Sequence, residues 1–400
     1  MRVLQVHCQY RQEGGEDATV RTEYDLLRDA GHDVHQHLVT NPTATAASAA
    51  SLAQAPWNAR AARDVGTTVS RLRPDVVHVY NTWFSLSPAI FRTLSERGVP
   101  TVLTVLNFRM MCVNSLLLRD GRPCEDCVGT HPWRGVAYRC YRDSVPASAA
   151  VAVTISLHRR LRTWERHVDR IITATAFARA RLVAGGVPPD LVAVKPNVVL
   201  PAATRTRAPS SSHSLLYVGR LAPEKGVGVM LEAWRRASPA GVELRIAGDG
   251  PLRRELEASA PVGVRFLGHL APECVRAELA AARALLVPST CYEGGEPIVI
   301  LEALAAGTPV VASDLGGMAE TLAPLGAGAL VPPGDLEAWR SRLEALATGG
   351  PSLDADGARA LALWGERYAP APGLAALENV YASAIERSAV DDRPRGVVAE

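Results

Sequence analysis

Two segments in the second half of the chain constrain its fold more than any other feature. Leu215–Val218 is a short apolar run, and Gly219–Gly226 continues it as Gly-Arg-Leu-Ala-Pro-Glu-Lys-Gly. Glu293–Leu304 reads Glu-Gly-Gly-Glu-Pro-Ile-Val-Ile-Leu-Glu-Ala-Leu, a glycine turn that leads into an apolar helix. A buried strand that ends in a glycine turn is typical of an open α/β sheet, which binds ligands at the carboxyl ends of its strands. We therefore predict that a ligand site lies at such an edge.

The charged residues of these segments suit a diphosphate. When a sugar leaves a diphosphate, negative charge builds on the departing phosphate, and fixed cations neutralise that charge best where water is excluded. Arg220 and Lys225 are the candidates for this role. The alternative is that both belong to a solvated loop.

The second segment adds a helix start and a carboxylate. Gly294 and Gly295 let the backbone approach a ligand closely, and Pro297 suits the first turn of a helix predicted to run to about Ala306. The free amides of that first turn would face phosphate. Glu302 follows among apolar residues, so its carboxylate needs a partner, and a ribose diol offers two hydroxyl donors. The alternative is a surface glutamate on an amphipathic helix.

With these residues in view, the chain resembles the retaining glycosyltransferases of family four, the glycogen-synthase-like group. The resemblance covers most of the chain and includes Gly14–Asp17, Gly248–Pro251, Phe266–Gly268 and Gly307–Val311. It implies the α/β fold called GT-B, in which two Rossmann-like domains face each other across a cleft. It also implies transfer from a nucleoside-diphosphate sugar with retention of configuration, without a catalytic metal and without a separate base.

By resemblance, Arg220 and Lys225 hold the diphosphate, Glu302 holds the ribose, and an earlier glutamate holds the hydroxyls of the donor sugar. Arg220, Lys225 and Glu293 are the predicted catalytic residues. The full predicted donor-binding set is Gly14, Gly15, Arg220, Lys225, Gly248, Leu267, His269, Glu293, Gly294, Gly295, Glu296, Pro297, Ile298 and Glu302.

The spacing of the glutamates departs from the family. Family members usually separate the two glutamates by seven residues, whereas eight residues lie between Glu293 and Glu302, and five between Glu296 and Glu302. We favour Glu293 as the sugar ligand because a loop can absorb an inserted residue. Glu296 could take the role instead, or cap the helix.

A second departure lies in Thr104–Arg109, which reads Thr-Val-Leu-Asn-Phe-Arg where the family commonly reads Thr-Leu-His-Asn-Phe-Arg. By resemblance, Leu106 and Asn107 lie on the donor-sugar side, and Leu106 replaces a histidine near the C6 hydroxyl. We therefore predict a 6-deoxyhexose or pentose donor. The alternatives are a different alignment, a polar role taken over by Asn107, or lost catalysis.

Two other functions remain open, and both departures favour the first of them. The first is a catalytically silent nucleotide-sugar-binding partner of an active transferase, which would bind the donor without transfer or hydrolysis. The second is a nucleotide-sugar epimerase on the same two-domain architecture, which would convert a donor without any acceptor.

The chain has 400 residues, which is longer than a typical single domain, so we predict two domains. Asn41–Ala55, rich in alanine, serine and threonine, is predicted to be a mobile loop on the acceptor side. The first predicted domain is a Rossmann-like acceptor-side domain at 1–200, with a cysteine-rich insertion at about 107–145. A linker at 201–213 leads to a Rossmann-like nucleotide-sugar-binding domain at 214–370. A helix at 371–387 is predicted to return to the first domain, and a disordered tail follows at 388–400.

The amino-acid composition limits the kinds of partner that this chain is expected to bind. The balance of 43 basic and 41 acidic side chains excludes a strong attraction to nucleic acid. The sequence lacks an apolar run of the roughly 18 residues that a membrane span needs, and Val3–His7 is predicted to be a strand rather than a signal peptide core. We expect a cytoplasmic enzyme whose acceptor is a saccharide, a lipid-linked saccharide or a small natural product. Basic Arg159, Arg160 and Arg162 leave peripheral membrane contact open beside a solvated helix face.

Four of the seven cysteines, Cys112, Cys124, Cys127 and Cys140, lie within 29 residues. Their spacing can place four thiolates around a tetrahedral zinc ion. We predict a structural zinc, with thiols that bind no metal and disulfides as the alternatives.

Overall fold

The computed structural model describes residues 1–10, 14–42, 45–203, 205 and 207–390. The chain divides into two compact units. The first unit comprises Met1–Leu117, Glu125–Pro196 and the segment from Gly373 onward, and the second unit comprises Leu118–Cys124 and Asn197–Pro372. Each unit contains one six-stranded sheet whose paired strands all run parallel.

The first sheet has the order β2-β1-β3-β4-β7-β8. Its strands are β1 (Arg2–Gln9), β2 (Asp33–Thr40), β3 (Val76–Asn81), β4 (Thr101–Val105), β7 (Arg170–Thr173) and β8 (Val192–Val194), and β5 (Leu118–Arg119) and β6 (Arg122–Pro123) form a separate ribbon. The helices of this part of the chain are α1 (Gly15–Asp29), α2 (Thr45–Gln54), α3 (Ala59–Leu72), α4 (Ala89–Glu96), α5 (Trp133–Ala137), α6 (Val145–Arg160), α7 (Thr163–His167) and α8 (Ala176–Ala184). The central strands β3 and β4 are buried along their whole length, which explains their nearly continuous apolar sequence.

The second sheet has the order β11-β10-β9-β12-β13-β14. Its strands are β9 (Ser214–Val218), β10 (Glu243–Ala247), β11 (Val264–Gly268), β12 (Ala284–Val287), β13 (Val310–Ser313) and β14 (Leu330–Val331). The helices are α9 (Val227–Ala237), α10 (Arg253–Ala258), α11 (Pro272–Ala281), α12 (Ile298–Ala305), α13 (Gly316–Leu322), α14 (Leu336–Thr348) and α15 (Pro351–Arg367). Neighbouring residues of β9 point to opposite faces, so Leu215 packs with Trp234 and Trp339 while Leu216 packs with Leu301. Helices therefore cover both faces of this sheet.

The last helix, α16 (Pro370–Val390), packs on the first unit. Leu377 and Tyr381 share an apolar cluster with Val3 and Val76, and the Tyr381 hydroxyl lies 2.9 Å from His78 Nδ1. The helix continues through residues 388–390, which the sequence predicts as the start of a disordered tail. The rest of that predicted tail, 391–400, lies outside the described residues.

The structure differs from the sequence prediction in three further places. Residues 45–54, predicted as a mobile loop, form α2, because their alanine-rich sequence favours a helix. The edge strand β2 was not predicted, since its pattern of alternating exposure keeps many polar residues. The predicted linker at 201–213 groups with the second unit, where Ser210 donates to Asp354, and the division between units falls at Pro196.

Each sheet has a switch point, the place where the winding direction of successive strands reverses. In the first sheet it lies between β1 and β3, and in the second between β9 and β12. Ligands of open α/β sheets bind at the carboxyl ends of the strands on either side of such a point. Among the helices of the described chain, none has the length and apolar character that a membrane span requires.

Candidate functional site

The loops that follow β9 and β12 are joined at the switch point of the second sheet. Lys225 Nζ donates to Glu293 Oε2 at 2.5 Å, and the Thr290 amide donates to the Glu224 carbonyl at 2.9 Å. The two segments that the sequence singles out, Gly219–Gly226 and Glu293–Leu304, therefore lie together at one edge of the sheet.

Close backbone packing positions these loops. Gly226 has a φ of +68°, and a Cβ atom there would lie 1.9 Å from the Pro288 carbonyl oxygen. Gly248, at the end of β10, has a φ of +138°, and a Cβ atom there would lie 1.9 Å from the Gly219 carbonyl oxygen. No side chain fits at either position. The missing side chain of Gly248 thus lets the end of β10 approach the β9 loop closely.

The two predicted cations already have carboxylate partners. Arg220 pairs with Glu224, and the Arg220 side chain is 56% exposed. Burial disfavours the Lys225 ammonium, but the Glu293 carboxylate beside it outweighs that cost, and the pKa of Lys225 is raised. Both side chains are charged cations, so an incoming anion must share or replace their partners. Sequence reasoning missed Glu224, although its i,i+4 spacing from Arg220 is a signal for such a pair.

Glu293 adopts an unusual backbone conformation. Its φ is +54°, a region that non-glycine residues seldom occupy. Its carboxylate accepts hydrogen bonds from Lys225 and from Ser289 Oγ, which hold the residue in place. Gly294 and Gly295 follow it and are buried, so the loop is compact just before the helix. Strained backbone of this kind is concentrated at functional sites.

Glu296 has a different environment from Glu293. It is 7% exposed; its Oε2 accepts from the Asn197 amide at 3.0 Å, and its Oε1 accepts from Thr321 Oγ1 at 3.0 Å. Burial and the Glu296 charge raise the pKa of Tyr368. The carboxylate therefore ties the beginning and end of the second unit to the loop ahead of α12. Pro297 precedes α12, and Ile298 is its first residue.

Glu302 lies in the middle of α12 and is half-buried. Burial raises the pKa of its carboxyl group to about 7, and the distant charge of Arg276 offsets this only in part. In the described part of the chain, the Glu302 carboxylate has no hydrogen-bond or ion-pair partner, whereas its backbone carbonyl accepts from the Ala306 amide at 3.1 Å. A half-desolvated carboxylate of this kind is ready to accept hydroxyl donors from a ligand.

Leu267 and His269 lie at the carboxyl end of β11. The Gly248 amide donates to the Gly268 carbonyl between them at 2.7 Å, which brings the end of β11 beside that of β10. Leu267 is half-buried and His269 is exposed. These residues therefore share the edge of the second sheet on which the other candidates lie.

The remaining predicted residues belong to the first unit. Gly14 and Gly15 are exposed at the start of α1, and Leu106 is half-buried directly after β4. Asn107 Nδ2 donates to Glu16 Oε1 at 2.7 Å, so the end of β4 meets the glycine turn at the start of α1.

The cysteines do not form the predicted zinc site. No group of three or more histidine, cysteine or acidic side chains within the described residues is placed to hold a metal ion. Cys112 Sγ donates to Asn114 Oδ1 at 2.9 Å, and burial raises the pKa of its thiol to about 11. All seven cysteines are described, and none forms a disulfide. The spacing of Cys112, Cys124, Cys127 and Cys140 predicted four thiolates around one ion, an arrangement that the described residues do not show.

Comparison with known structures defines the class of protein. The crystal structure of the Anabaena protein HepE in complex with UDP and glucose matches with a TM-score of 0.65 at 16% identity, over 96% of this chain and 100% of that one. The predicted α/β GT-B fold is confirmed. Two domain families then match consecutive parts of the chain, "Glycosyl transferase 4-like domain" at residues 14–198 and "Glycosyl transferases group 1" at residues 212–348. Together with the fold, they place the chain among the GT-B glycosyltransferases.

Curated relatives match mainly in part. The amylovoran biosynthesis glycosyltransferase AmsK of Erwinia amylovora is 31% identical over 183 residues, which are 42% of this chain and 45% of the relative. A GDP-mannose-dependent alpha-mannosyltransferase of Mycobacterium tuberculosis is 30% identical over 209 residues, 49% of this chain and 54% of the relative. The chain thus spans about half the length of these relatives.

Proposed function

We propose that this chain transfers a sugar from a nucleoside-diphosphate sugar to a saccharide, lipid-linked or natural-product acceptor, with retention of anomeric configuration. The observation that carries the proposal is the Lys225–Glu293 ion pair, which sets an ammonium beside a strained loop and the start of α12 at a sheet switch point. The names of similar proteins support it, since one relative uses GDP-mannose and one similar structure holds UDP and glucose.

In this proposal the diphosphate binds to Arg220, Lys225 and the first amides of α12. Negative charge that develops on the leaving group is met by two cations and by the positive end of a helix dipole. When Lys225 turns to phosphate, Glu293 loses its cationic partner and accepts hydrogen bonds from hydroxyls of the donor sugar. Glu302 accepts hydrogen bonds from the ribose diol.

Glu293 suits the sugar better than Glu296 does. Both Glu296 oxygens are engaged by Asn197 and Thr321 inside the second unit, so freeing them would leave buried donors unpaired. Glu293 lies in the loop before α12. To bind the sugar, its carboxylate would give up only the hydrogen bonds from Lys225 and Ser289.

The chemical step balances without a separate base. The bond between the anomeric carbon and the phosphate oxygen breaks, a bond to the acceptor oxygen forms on the same face, and the acceptor proton passes to the departing phosphate oxygen. Because two cations and the helix end balance the diphosphate, a catalytic divalent ion is not part of the proposal. We place this reaction in the cytoplasm. Contact of Arg159 and Arg160 with a membrane surface is compatible with it but is not required for it.

Leu106 directs the choice of donor. Its apolar side chain stands after β4 at the position where the family has a histidine near the C6 hydroxyl, so a 6-deoxyhexose or pentose donor would avoid leaving that hydroxyl unpaired. Asn107 is already engaged with Glu16, which argues against its replacing the histidine.

A calorimetric titration with matched nucleotide sugars tests the proposal. GDP-D-rhamnose against GDP-D-mannose and dTDP-6-deoxy-D-glucose against dTDP-D-glucose compare donors that differ only in the C6 hydroxyl. We expect a 6-deoxy donor to bind at least tenfold more tightly than its hydroxylated counterpart. NMR of the transfer product should show the same anomeric configuration, α or β, as the donor. A preference for the 6-hydroxylated sugars would remove the donor assignment, and binding without transfer or hydrolysis would favour a silent partner.

A further inference from the structure

The outer face of α6 carries apolar side chains where a surface helix normally carries charged ones. Residues 145–157, the first 13 positions of this helix, contain no charged side chain. The inner face is buried, with Val151, Ala152 and Ile155 in an apolar cluster. The opposite face is at least partly exposed, and we call it the outer stripe, defined as Pro146, Ala149, Val153, Leu157 and Arg160. Apolar surface of this kind marks a contact with a membrane or with another protein.

Helical spacing makes the outer stripe one continuous surface. Its members recur every three or four residues, so they lie on the same side of α6. Val153, in the middle, is 41% exposed, and Pro146 and Arg160, two turns away on either side, are exposed as well. At 1.5 Å per residue the stripe is about 21 Å long. It therefore presents apolar side chains along most of its length and an arginine at its carboxyl-terminal end.

Positive charge is concentrated in the segment that contains the outer stripe. Residues 131–166 include seven arginines and two acidic residues, whereas the rest of the chain has 36 basic and 39 acidic residues. Four exposed arginines of this segment have no ion-pair partner among the described residues: Arg134, Arg139, Arg142 and Arg160. By contrast, Arg340 of α14 pairs with Glu337 at 2.8 Å and with Glu344 at 2.5 Å. The unpaired guanidinium groups are therefore available to phosphate groups.

The helix next to α6 adds two exposed aromatic rings. Trp133 begins α5 and Tyr138 directly follows it, and both side chains are exposed. Val136, between them, packs on the apolar cluster that lies under α6, so α5 is fixed against α6. Tryptophan and tyrosine are enriched where the apolar interior of a bilayer meets its headgroups, because their rings have an apolar body and a polar edge. Apolar, aromatic and basic groups thus occur together in this part of the first unit.

We infer that the outer stripe binds the surface of a membrane that contains anionic phospholipids. α6 lies along that surface, Val153 and Leu157 enter the boundary between headgroups and acyl chains, and Arg160 binds lipid phosphate. An anionic bilayer fits better than a protein partner, because the charge of this segment is almost entirely positive and phospholipid headgroups offer a uniformly negative surface. The inference goes beyond the proposed function and does not depend on it, since it involves none of the donor-binding residues.

Flotation of the whole chain with lipid vesicles tests the inference. One set of vesicles is pure phosphatidylcholine, and the other contains about 40% phosphatidylglycerol, both at about 0.1 M salt. We expect binding to the anionic vesicles to be at least tenfold tighter. Val153→Glu should weaken that binding at least tenfold, because it places a carboxylate in the outer stripe, and Arg160→Gln should weaken it several-fold. Two exposed positions of the second unit provide the same charge changes as controls, Val262→Glu and Arg254→Gln, and both should bind normally.

Four results would overturn the inference: no binding to the anionic vesicles, equal binding to both kinds of vesicle, full binding by Val153→Glu, or an equal loss in Val262→Glu. Should circular dichroism show that Val153→Glu does not fold, the comparison of Arg160→Gln with Arg254→Gln decides, and equal binding by these two would refute the site. Sedimentation velocity without vesicles separates a contact between proteins. Absent vesicle binding together with a dimer that Val153→Glu dissociates would assign the outer stripe to a second copy of the chain and refute the membrane.

Discussion

The two sheet edges show how one topology supports different chemistry. At the edge of the second sheet, Arg220 and Lys225 each pair with a carboxylate, and loops pack backbone against backbone at Gly226. At the edge of the first sheet, Arg109 is surrounded by aromatic rings and keeps buried unpaired N–H groups. Both edges are switch points of parallel sheets. The difference therefore lies in the loops, which is where function resides in doubly wound folds.

The charge balance of the edges differs in a way that suits different ligands. The second edge combines two exchangeable ion pairs with a helix start, an arrangement that can accept a strongly anionic group. The first edge instead surrounds a single arginine, Arg109, with the rings of Trp83, Phe84 and Tyr141. Four predictions test this comparison, from the largest expected effect to the smallest.

The largest effect is expected from the exposed cation of the second edge. Arg220→Ala should reduce transfer or donor hydrolysis by a factor of about 100–1,000, because charge on the leaving diphosphate loses a fixed partner. Steady-state kinetics with the best-binding donor measures this. The control is Arg236→Ala, a surface arginine of α9 paired with Glu232. Near-normal turnover of Arg220→Ala would contradict the comparison.

Backbone packing at Gly226 predicts a large effect on stability. Gly226→Ala would place Cβ 1.9 Å from the Pro288 carbonyl oxygen, so the free energy of unfolding should fall by about 3 kcal/mol or more. Gly228 provides the matched control, since it lies in α9 and a Cβ atom there would meet no other atom within 4 Å among the described residues. Gly228→Ala should raise stability by about 0.5–1 kcal/mol. Urea denaturation of both variants decides; equal stability would show that the β9 loop is loosely packed.

Glu302 predicts a pH dependence of stability. Its pKa is raised to about 7 in the folded chain, above the value near 4.5 that an unfolded glutamate has. Between these two values the folded state binds more protons than the unfolded state, so stability falls as pH rises from about 4.5 to about 7. Glu302→Gln should remove this component and be more stable than the parent at pH 8 by about 1–3 kcal/mol.

Thermal and urea unfolding at pH 5 and pH 8 measure that difference. Glu255→Gln, at an exposed position of α10, should show none. An unchanged pH profile for Glu302→Gln would mean that its carboxylate is not desolvated. If the carboxylate also holds ribose, nucleotide affinity of the parent should fall as pH decreases through about 7 and stay level in Glu302→Gln.

The smallest effect separates the two loop glutamates. Glu296→Gln should lower the free energy of unfolding by about 1–3 kcal/mol, because glutamine keeps only one acceptor oxygen for the two donors, the Asn197 backbone amide and Thr321 Oγ1. Glu293→Gln should weaken donor-sugar binding relative to UDP or GDP alone, and it should also lower stability, because the largely buried Lys225 ammonium loses its carboxylate partner. Calorimetry measures the change in donor-sugar affinity and urea titration measures the change in stability, so together they distinguish the roles of the two glutamates. The reverse pattern would exchange the roles of the two residues.

Much of the architecture could be predicted from the sequence because strongly apolar runs mark buried strands. The predicted strands at Val3–His7 and Leu215–Val218 lie within β1 and β9, and the predicted GT-B fold is confirmed by structural comparison. The elements that were missed have weaker patterns. β2 lies at a sheet edge and carries polar residues, and α2 is a run of small residues that could equally form a loop.

The candidate site was predictable only where it is local in sequence. Gly219–Gly226 and Glu293–Glu302 are contiguous segments, so their residue types and order were enough to predict a ligand site at a sheet edge. The cysteine spacing misled the prediction because spacing says nothing about the direction in which each thiol points.

The sequence by itself determined the buried strands, the glycine turns and the residue types that meet at the second edge, because neighbours in the chain remain neighbours in space. Only the tertiary structure decided which groups pair: Lys225 with Glu293 across 68 residues, Asn107 with Glu16 across 91, and Asn197 with Glu296 across 99. Such pairs form when parallel strands bring their carboxyl ends together, and burial then determines which carboxylates must keep a partner within the protein and which remain available to a ligand.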